Sequence, residues 1–295
     1  MCDHCGCSDD SGAKIVDMQN HLHAHMGHSH THERGHVHIH DHDHDHGHHH
    51  GHDHDHGDHH GHDHDHGHHH PSHASSGSVV RIQEDVLAKN SLLAERNRGW
   101  FAGCNILALN LMSSPGAGKT TLLERTIREV GSEFDLQIIE GDQASTLDAE
   151  RIRAAGSKVI QINTGAGCHL DADMVNRAIR QLKPASNSTI VIENVGNLIC
   201  PALFDLGEHA KVVMAAVTDG DEKPTKYPHM FRSATLVILN KIDLAQHVNF
   251  DVARFAENVR QINPAASIIK VSATTGHGLN DWYSWLRQTR SVQRS

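Results

Sequence analysis

No apolar side chain occurs between His42 and Gly57, which read "HDHDHGHHHGHDHDHG". A run without apolar surface cannot offset the entropy of ordering its backbone, so it has no means of folding alone. The chain also lacks any stretch approaching the ~20 apolar residues of a bilayer span, and its start lacks a basic segment leading into an apolar one. No basic stripe stands out to neutralise phosphates, which argues against nucleic acid as a partner. Cysteine is too sparse and scattered for a disulfide framework: Cys2, Cys5 and Cys7 crowd the start, while Cys104, Cys168 and Cys200 lie far apart. These absences lead us to expect a cytoplasmic protein with reduced thiols and no membrane association.

Histidine is abundant, and it is concentrated. Of 33 His, 28 precede Ala74, leaving His169, His209, His229, His247 and His277 for the rest. Charge divides at the same place: residues 1–73 hold 13 acidic and 2 basic residues, the remainder 23 acidic and 24 basic. From Asp41 a unit recurs as "DHDHDHGHHH", "GHDHDHGDHH" and "GHDHDHGHHH", low complexity with no apolar face to stack. We therefore divide the chain into a Cys-rich motif (1–20), a disordered His/Asp-rich tract (21–77), a helical arm (78–102) and an α/β domain (103–295). The arm spaces Ile82, Val86, Leu87, Leu92 and Leu93 as one apolar helical face.

From Asn105 onward, strand-like apolar runs alternate with helical patterns: "ILALNLM", "LQIIEGD", "KVIQINT", "TIVIENV", "KVVMAAVT", "TLVILNK" and "SIIKVSA". Continuous rather than alternating apolarity predicts strands buried on both faces, hence a mostly parallel central sheet flanked by helices.

Chemistry follows the first run. "SSPGAGKTT" places Gly116, Ala117, Gly118, Lys119, Thr120 and Thr121 between a strand and a helix, the setting of a phosphate-binding loop. Glycines let backbone N–H groups point at phosphate oxygens, the helix N-terminus adds its dipole, Lys119 reaches the β and γ phosphates, and Thr120 ligates Mg²⁺. Ser113 stands where the pattern usually starts with glycine. In "NKID", the Asp243 carboxylate suits the paired donors on the guanine edge, the Lys241 stem lies over the ring, and Asn240 ties the loop down. Ser272 and Ala273 of "VSAT" are expected to close the base pocket, so GTP is the expected substrate. Two carboxylates end strands at the ligand-binding edge of such a sheet, Asp142 in "IIEGD" and Glu193 in "IVIEN". Either suits Mg²⁺, and Asp142 could instead orient the attacking water or cap a helix.

Two further groups suggest a transition metal. "MCDHCGC" sets three thiols beside an amino terminus, which suits square-planar Ni²⁺, or tetrahedral Zn²⁺ with His4 as fourth ligand. "GAGCHLD" offers Cys168 and His169, and "NLICPA" offers Cys200. Adjacent side chains are expected to diverge, so Cys168 and His169 need Cys200, and a second subunit could complete the shell. Cys104, without such company, reads as core.

Together these motifs make the chain resemble the HypB family of hydrogenase nickel incorporation GTPases, of the SIMIBI class of P-loop proteins, over essentially its full length. The resemblance rests on "CDHCGC", the His tract, "SSPGAGKTT", "EGD", "NTGAGCHLDA", "IENVGNLICP", "NKID" and "VSATTG". It implies an N-terminal nickel site of Cys2, Cys5 and Cys7, and a GTPase-domain site of Cys168, His169 and Cys200 at a nucleotide-dependent homodimer interface. It also implies nickel handover to the [NiFe] hydrogenase large subunit precursor with a HypA-type chaperone. The tract then reads as a nickel store: about 50 flexible residues reach roughly 40 Å, and neutral imidazoles at pH 7 are able to ligate.

Overall fold

The computed structural model describes residues 13–17, 76–143 and 145–293. The thiols of Cys2, Cys5 and Cys7 and the His tract lie outside the described residues. In chain order the elements are β1 (Lys14–Asp17), α1 (Ser76–Gly103), β2 (Leu107–Ser113), α2 (Lys119–Phe134), β3 (Leu136–Asp142), α3 (Leu147–Ala154), β4 (Lys158–Asn163), α4 (Ala172–Leu182), β5 (Thr189–Glu193), α5 (Cys200–Leu203), β6 (Ala210–Ala216), α6 (Lys223–Lys226), α7 (Pro228–Arg232), β7 (Leu236–Asn240), α8 (Val252–Ile262), β8 (Ser267–Lys270) and α9 (Leu279–Gln293).

The strands form one sheet in the order β1-β4-β3-β5-β2-β6-β7-β8. Seven strands run parallel, as the apolar runs predict, and every residue of β2, β5 and β7 is buried. Alternation along β2 sends Leu107, Leu109 and Leu111 to one face, where α2 and α9 contribute Leu122, Ile127, Trp282 and Leu286. Ala108 and Met112 point the other way, toward Phe101, Val175 and Ile179 at one end and Phe231 and Phe255 at the other. The buried Trp282 indole donates to the Thr126 hydroxyl at 2.9 Å, so the largest core side chain carries no orphan donor.

Two features depart from expectation. The eighth strand, β1, pairs antiparallel with the edge strand β4, placing Lys14 opposite Asn163. It covers an otherwise open edge, and its four residues are too few to announce themselves by pattern. Helix α1 forms, but its core-facing side is not the predicted apolar stripe. Leu92 is 76% exposed, and Val86, Leu87 and Leu93 are only half-buried, while the buried positions are Asn90, Ala94, Asn97 and Phe101. Among the described residues no helix is long and apolar enough to cross a membrane.

Candidate nucleotide site and metal centre

Parallel strands direct their C-terminal ends to one edge of the sheet, and the strand order sets out the candidate residues along that edge. The segments after β4 and β5 hold the metal donors, β3 and β5 the carboxylates, β2 the phosphate loop, and β7 and β8 the base loops.

Gly116 and Gly118 adopt positive φ (72° and 99°). At Gly118 a Cβ would stand 2.6 Å from the Asn240 amide nitrogen, so loop curvature and close approach both require glycine. Ser113, at the position usually held by glycine, is fully buried, and its hydroxyl accepts from Lys119 Nζ at 3.0 Å and donates to the Ser114 carbonyl at 2.6 Å. The departure from pattern therefore parks the ammonium beside the loop it serves. Thr121 accepts from Arg151 at 3.2 Å, joining α2 to α3.

Asn240 joins the two halves of the site. Its amide donates to the Ala117 carbonyl at 2.8 Å and its oxygen accepts from Ala273 N–H at 3.0 Å. Lys241 takes a left-handed conformation (φ 59°), and Ile242 N–H donates to the Val271 carbonyl at 3.1 Å, which holds Asp243 beside the 271–273 segment. Ser272 is fully buried and its hydroxyl accepts from Thr275 N–H at 3.1 Å.

Below the phosphate loop lies a cavity of about 300 Å³ lined by Gly116, Lys119, Glu140, Asp142, Glu193 and Asn194, among others. Thr120 Oγ1 donates to Glu193 Oε1 at 2.8 Å, while Glu193 Oε2 is buried with no hydrogen-bond partner. A hydroxyl and a carboxylate beside a phosphate loop are hard oxygen donors, which fits Mg²⁺. Asp142 lines the same cavity, and one of its oxygens accepts from Ser145 N–H at 2.9 Å in the turn before α3, whose N-cap is Thr146 rather than Asp142. Sequence reasoning passed over Glu140. It sits opposite Glu193 in the β3–β5 register, is 2% exposed, and has an unpartnered Oε2. Burial, then repulsion from Glu193, pushes its carboxyl up to about 9, so it is neutral at pH 7. Burial also raises Glu193, opposed by Lys119 and the Thr120 hydroxyl.

Cys168, His169 and Cys200 bring one ligand atom each to within 4.8 Å of one another. Contrary to the expected divergence, Cys168 Sγ and His169 Nδ1 are 3.7 Å apart, because the chain bends at these two residues. The His169 ring stacks on Phe204, centroids 3.9 Å apart, and burial lowers its pKa, keeping the imidazole neutral and able to ligate. Two sulfurs and a nitrogen suit Ni²⁺ or Zn²⁺ better than a hard cation. Cys104, by contrast, is half-buried against the core near Phe101, as read.

The two sites share a loop. Residues 194–199 run from the Glu193 strand end to Cys200. Asn194 lines the cavity, its oxygen accepts from Leu170 N–H at 3.2 Å, and its amide donates to Asn110 at 3.2 Å. Asn197 donates to the Cys168 carbonyl at 3.3 Å. Gly196 passes so close to Pro115 of the phosphate loop that a Cβ would lie 3.1 Å from its Cα. Residues 194–199 thus touch the phosphate loop at Pro115 and the 168–170 segment at Cys168 and Leu170, and lead directly into Cys200.

Residues 107–270 match the nucleotide-binding domain of CobW, HypB and UreG proteins. The hydrogenase maturation factor HypB of Escherichia coli K12 is 50% identical over 216 residues, 73% of this chain and 74% of the relative. The crystal structure of HypB from Archaeoglobus fulgidus is similar at TM-score 0.65 and 42% identity, covering 69% of this chain and 99% of that one. HypB from Helicobacter pylori, solved in complex with nickel, is similar at TM-score 0.67 and 36% identity, covering 69% and 96%. With half of its aligned residues shared with one such protein and its sheet shared with two others, the chain belongs to the HypB family of P-loop GTPase-class proteins.

Proposed function

We propose that this protein is a GTP-hydrolysing metallochaperone that loads nickel, and also binds zinc, and assists nickel insertion into a [NiFe] hydrogenase. The observation that carries the reading is the shared loop: Asn194, Gly196 and Asn197 connect the phosphate loop and Glu193 to the thiolate–imidazole centre. Thr120 and Glu193 would hold Mg²⁺, which supplies positive charge to the β and γ phosphates. Lys119 leaves Ser113 for the phosphate oxygens, and Asp142, with one oxygen committed to Ser145 N–H, uses the other to orient water. Asp243 reads guanine beneath Lys241, with Ser272 and Ala273 closing the pocket.

A nucleotide shifts a conformational equilibrium only by binding two states differently, and the γ phosphate supplies that difference. GTP closes a homodimer and alters the geometry around Cys168, His169 and Cys200; hydrolysis resets it. The cargo arrives from Cys2, Cys5 and Cys7, from the His tract acting as store, or from a HypA-type chaperone, and leaves for the hydrogenase large subunit precursor. The nickel-bound Helicobacter pylori relative supports this choice of cargo. The test is hydrogenase activity at limiting nickel in a strain lacking this protein. The unaltered chain restores activity and Cys200→Ala does not; equal rescue by both would overturn the reading.

A further inference from the structure

The three metal donors sit on segments separated by some 30 residues of chain, and the element that joins those segments from behind is α1. Asn90 accepts from Ala172 N–H at 2.9 Å and donates to the Asp205 carbonyl at 2.8 Å. About two turns further, Asn97 donates to the Ala172 carbonyl at 2.8 Å and the Leu206 carbonyl at 3.1 Å, and accepts from Asn176 at 2.8 Å. Arg98 adds bonds to the Glu208 carbonyl at 2.9 Å and to the Asp205 carboxylate. Ala172 follows His169 closely and begins α4; Asp205 and Leu206 follow α5, which starts at Cys200, and come directly after Phe204, the residue stacked on His169. Gly207 fixes how near the helix comes, since a Cβ there would lie 2.5 Å from the Ala94 carbonyl and 2.7 Å from Asn97 Cβ.

Leucines on this face would supply adhesion but tolerate sliding. A carboxamide offers donor and acceptor on one rigid plane, so it fixes the offset between two backbones as well as their approach. Both Asn side chains are buried, Asn97 fully, and both peptide groups of Ala172 are bonded by them.

We propose that α1 is a positioning clamp for the Cys168–His169–Cys200 centre, with Asn90 and Asn97 setting the separation of the two donor segments. The affinity and coordination geometry of the centre then depend on docking of the helix into which the N-terminal tract leads. The inference rests on reading the triad as a metal centre.

The test uses the full-length chain with Cys2, Cys5 and Cys7 each replaced by Ser, so that thiolate-to-metal charge-transfer absorption on titration with buffered Co²⁺ reports the domain thiols. Cys200→Ser identifies the band. Asn90→Ala and Asn97→Ala should each weaken Co²⁺ binding by about 10- to 100-fold, as loss of groups that orient ligands does, and shift the ligand-field bands. Thr126→Val, which unbonds Trp282 on the opposite face of the sheet, should lower the thermal midpoint with the band unchanged. Asn90→Ala, which removes fewer bonds, serves if Asn97→Ala does not fold. If the Asn variants bind Co²⁺ within twofold of the parent, or Thr126→Val weakens it equally, the clamp is refuted. Absence of a Cys200-dependent band in the parent refutes instead the metal reading beneath it.

Discussion

Asn240→Ala separates the loops of the nucleotide site with the smallest change of shape. Two bonds vanish, to the Ala117 carbonyl and from Ala273 N–H, and both partners are at most 3% exposed, so water cannot replace the side chain without opening the site. Each orphaned buried group costs about 1–3 kcal/mol, giving a loss of roughly 2–6 kcal/mol in the nucleotide-free protein. The phosphate and base loops also lose their common tether. If about 2 kcal/mol of that loss falls on preorganisation, GDP affinity falls about 30-fold. Urea denaturation with and without GDP gives the first quantity, and fluorescence titration with a labelled GDP the second. Asn240→Asp keeps the acceptor for Ala273 but sets a carboxylate against the Ala117 carbonyl, so it should bind GDP no better than Asn240→Ala. A stability loss below about 1 kcal/mol with unchanged GDP affinity would refute the tether.

Lys119→Ala should abolish GTP turnover while leaving nickel loading of the N-terminal segment intact, measured by phosphate release and equilibrium dialysis; joint loss would contradict the modular reading. Glu140 keeps its proton in the folded state up to about pH 9 but loses it near 4.5 when unfolded. The folded state therefore binds more protons across that window, and stability from this group declines as pH rises through it. Glu140→Gln should remove the decline, stabilising the nucleotide-free protein at pH 7 by up to about 3 kcal/mol relative to pH 4.5; parallel pH profiles of the two proteins would contradict this. A chain lacking residues 21–73 should still activate hydrogenase when nickel is plentiful and fail only when it is scarce, whereas a pure storage protein would lose all effect.

Much of the site is local in sequence and was legible there. The phosphate loop and the base loop declare themselves because strand, turn and helix chemistry occur within a few residues, and their link through Asn240 follows from the second motif. The buried strands were readable for the same reason: a strand covered on both faces leaves an unbroken apolar run. What escaped is what depends on register between distant segments. Glu140 looks like any strand-end carboxylate until β3 pairs with β5 and sets it beside Glu193. Asn194 is one polar residue just past a strand end, and only the fold delivers Leu170 to it. Helix α1 misled because two carboxamides, Asn90 and Asn97, share its buried face with Ala94 and Phe101, so the leucine and valine stripe identified a half-exposed face. The convergence of Cys168 with His169 depends on a bend that no spacing rule encodes.

The central claim is that nucleotide state controls the grip on metal. Ni²⁺ and Zn²⁺ affinities of the protein lacking residues 21–73, which keeps β1, and with Cys2, Cys5 and Cys7 each replaced by Ser, measured by calorimetry in its GDP form and with a non-hydrolysable GTP analogue, test it most directly. The account predicts different affinities in the two forms, lost in Cys200→Ala, together with stronger self-association in the triphosphate form. Identical affinities and identical self-association would contradict it.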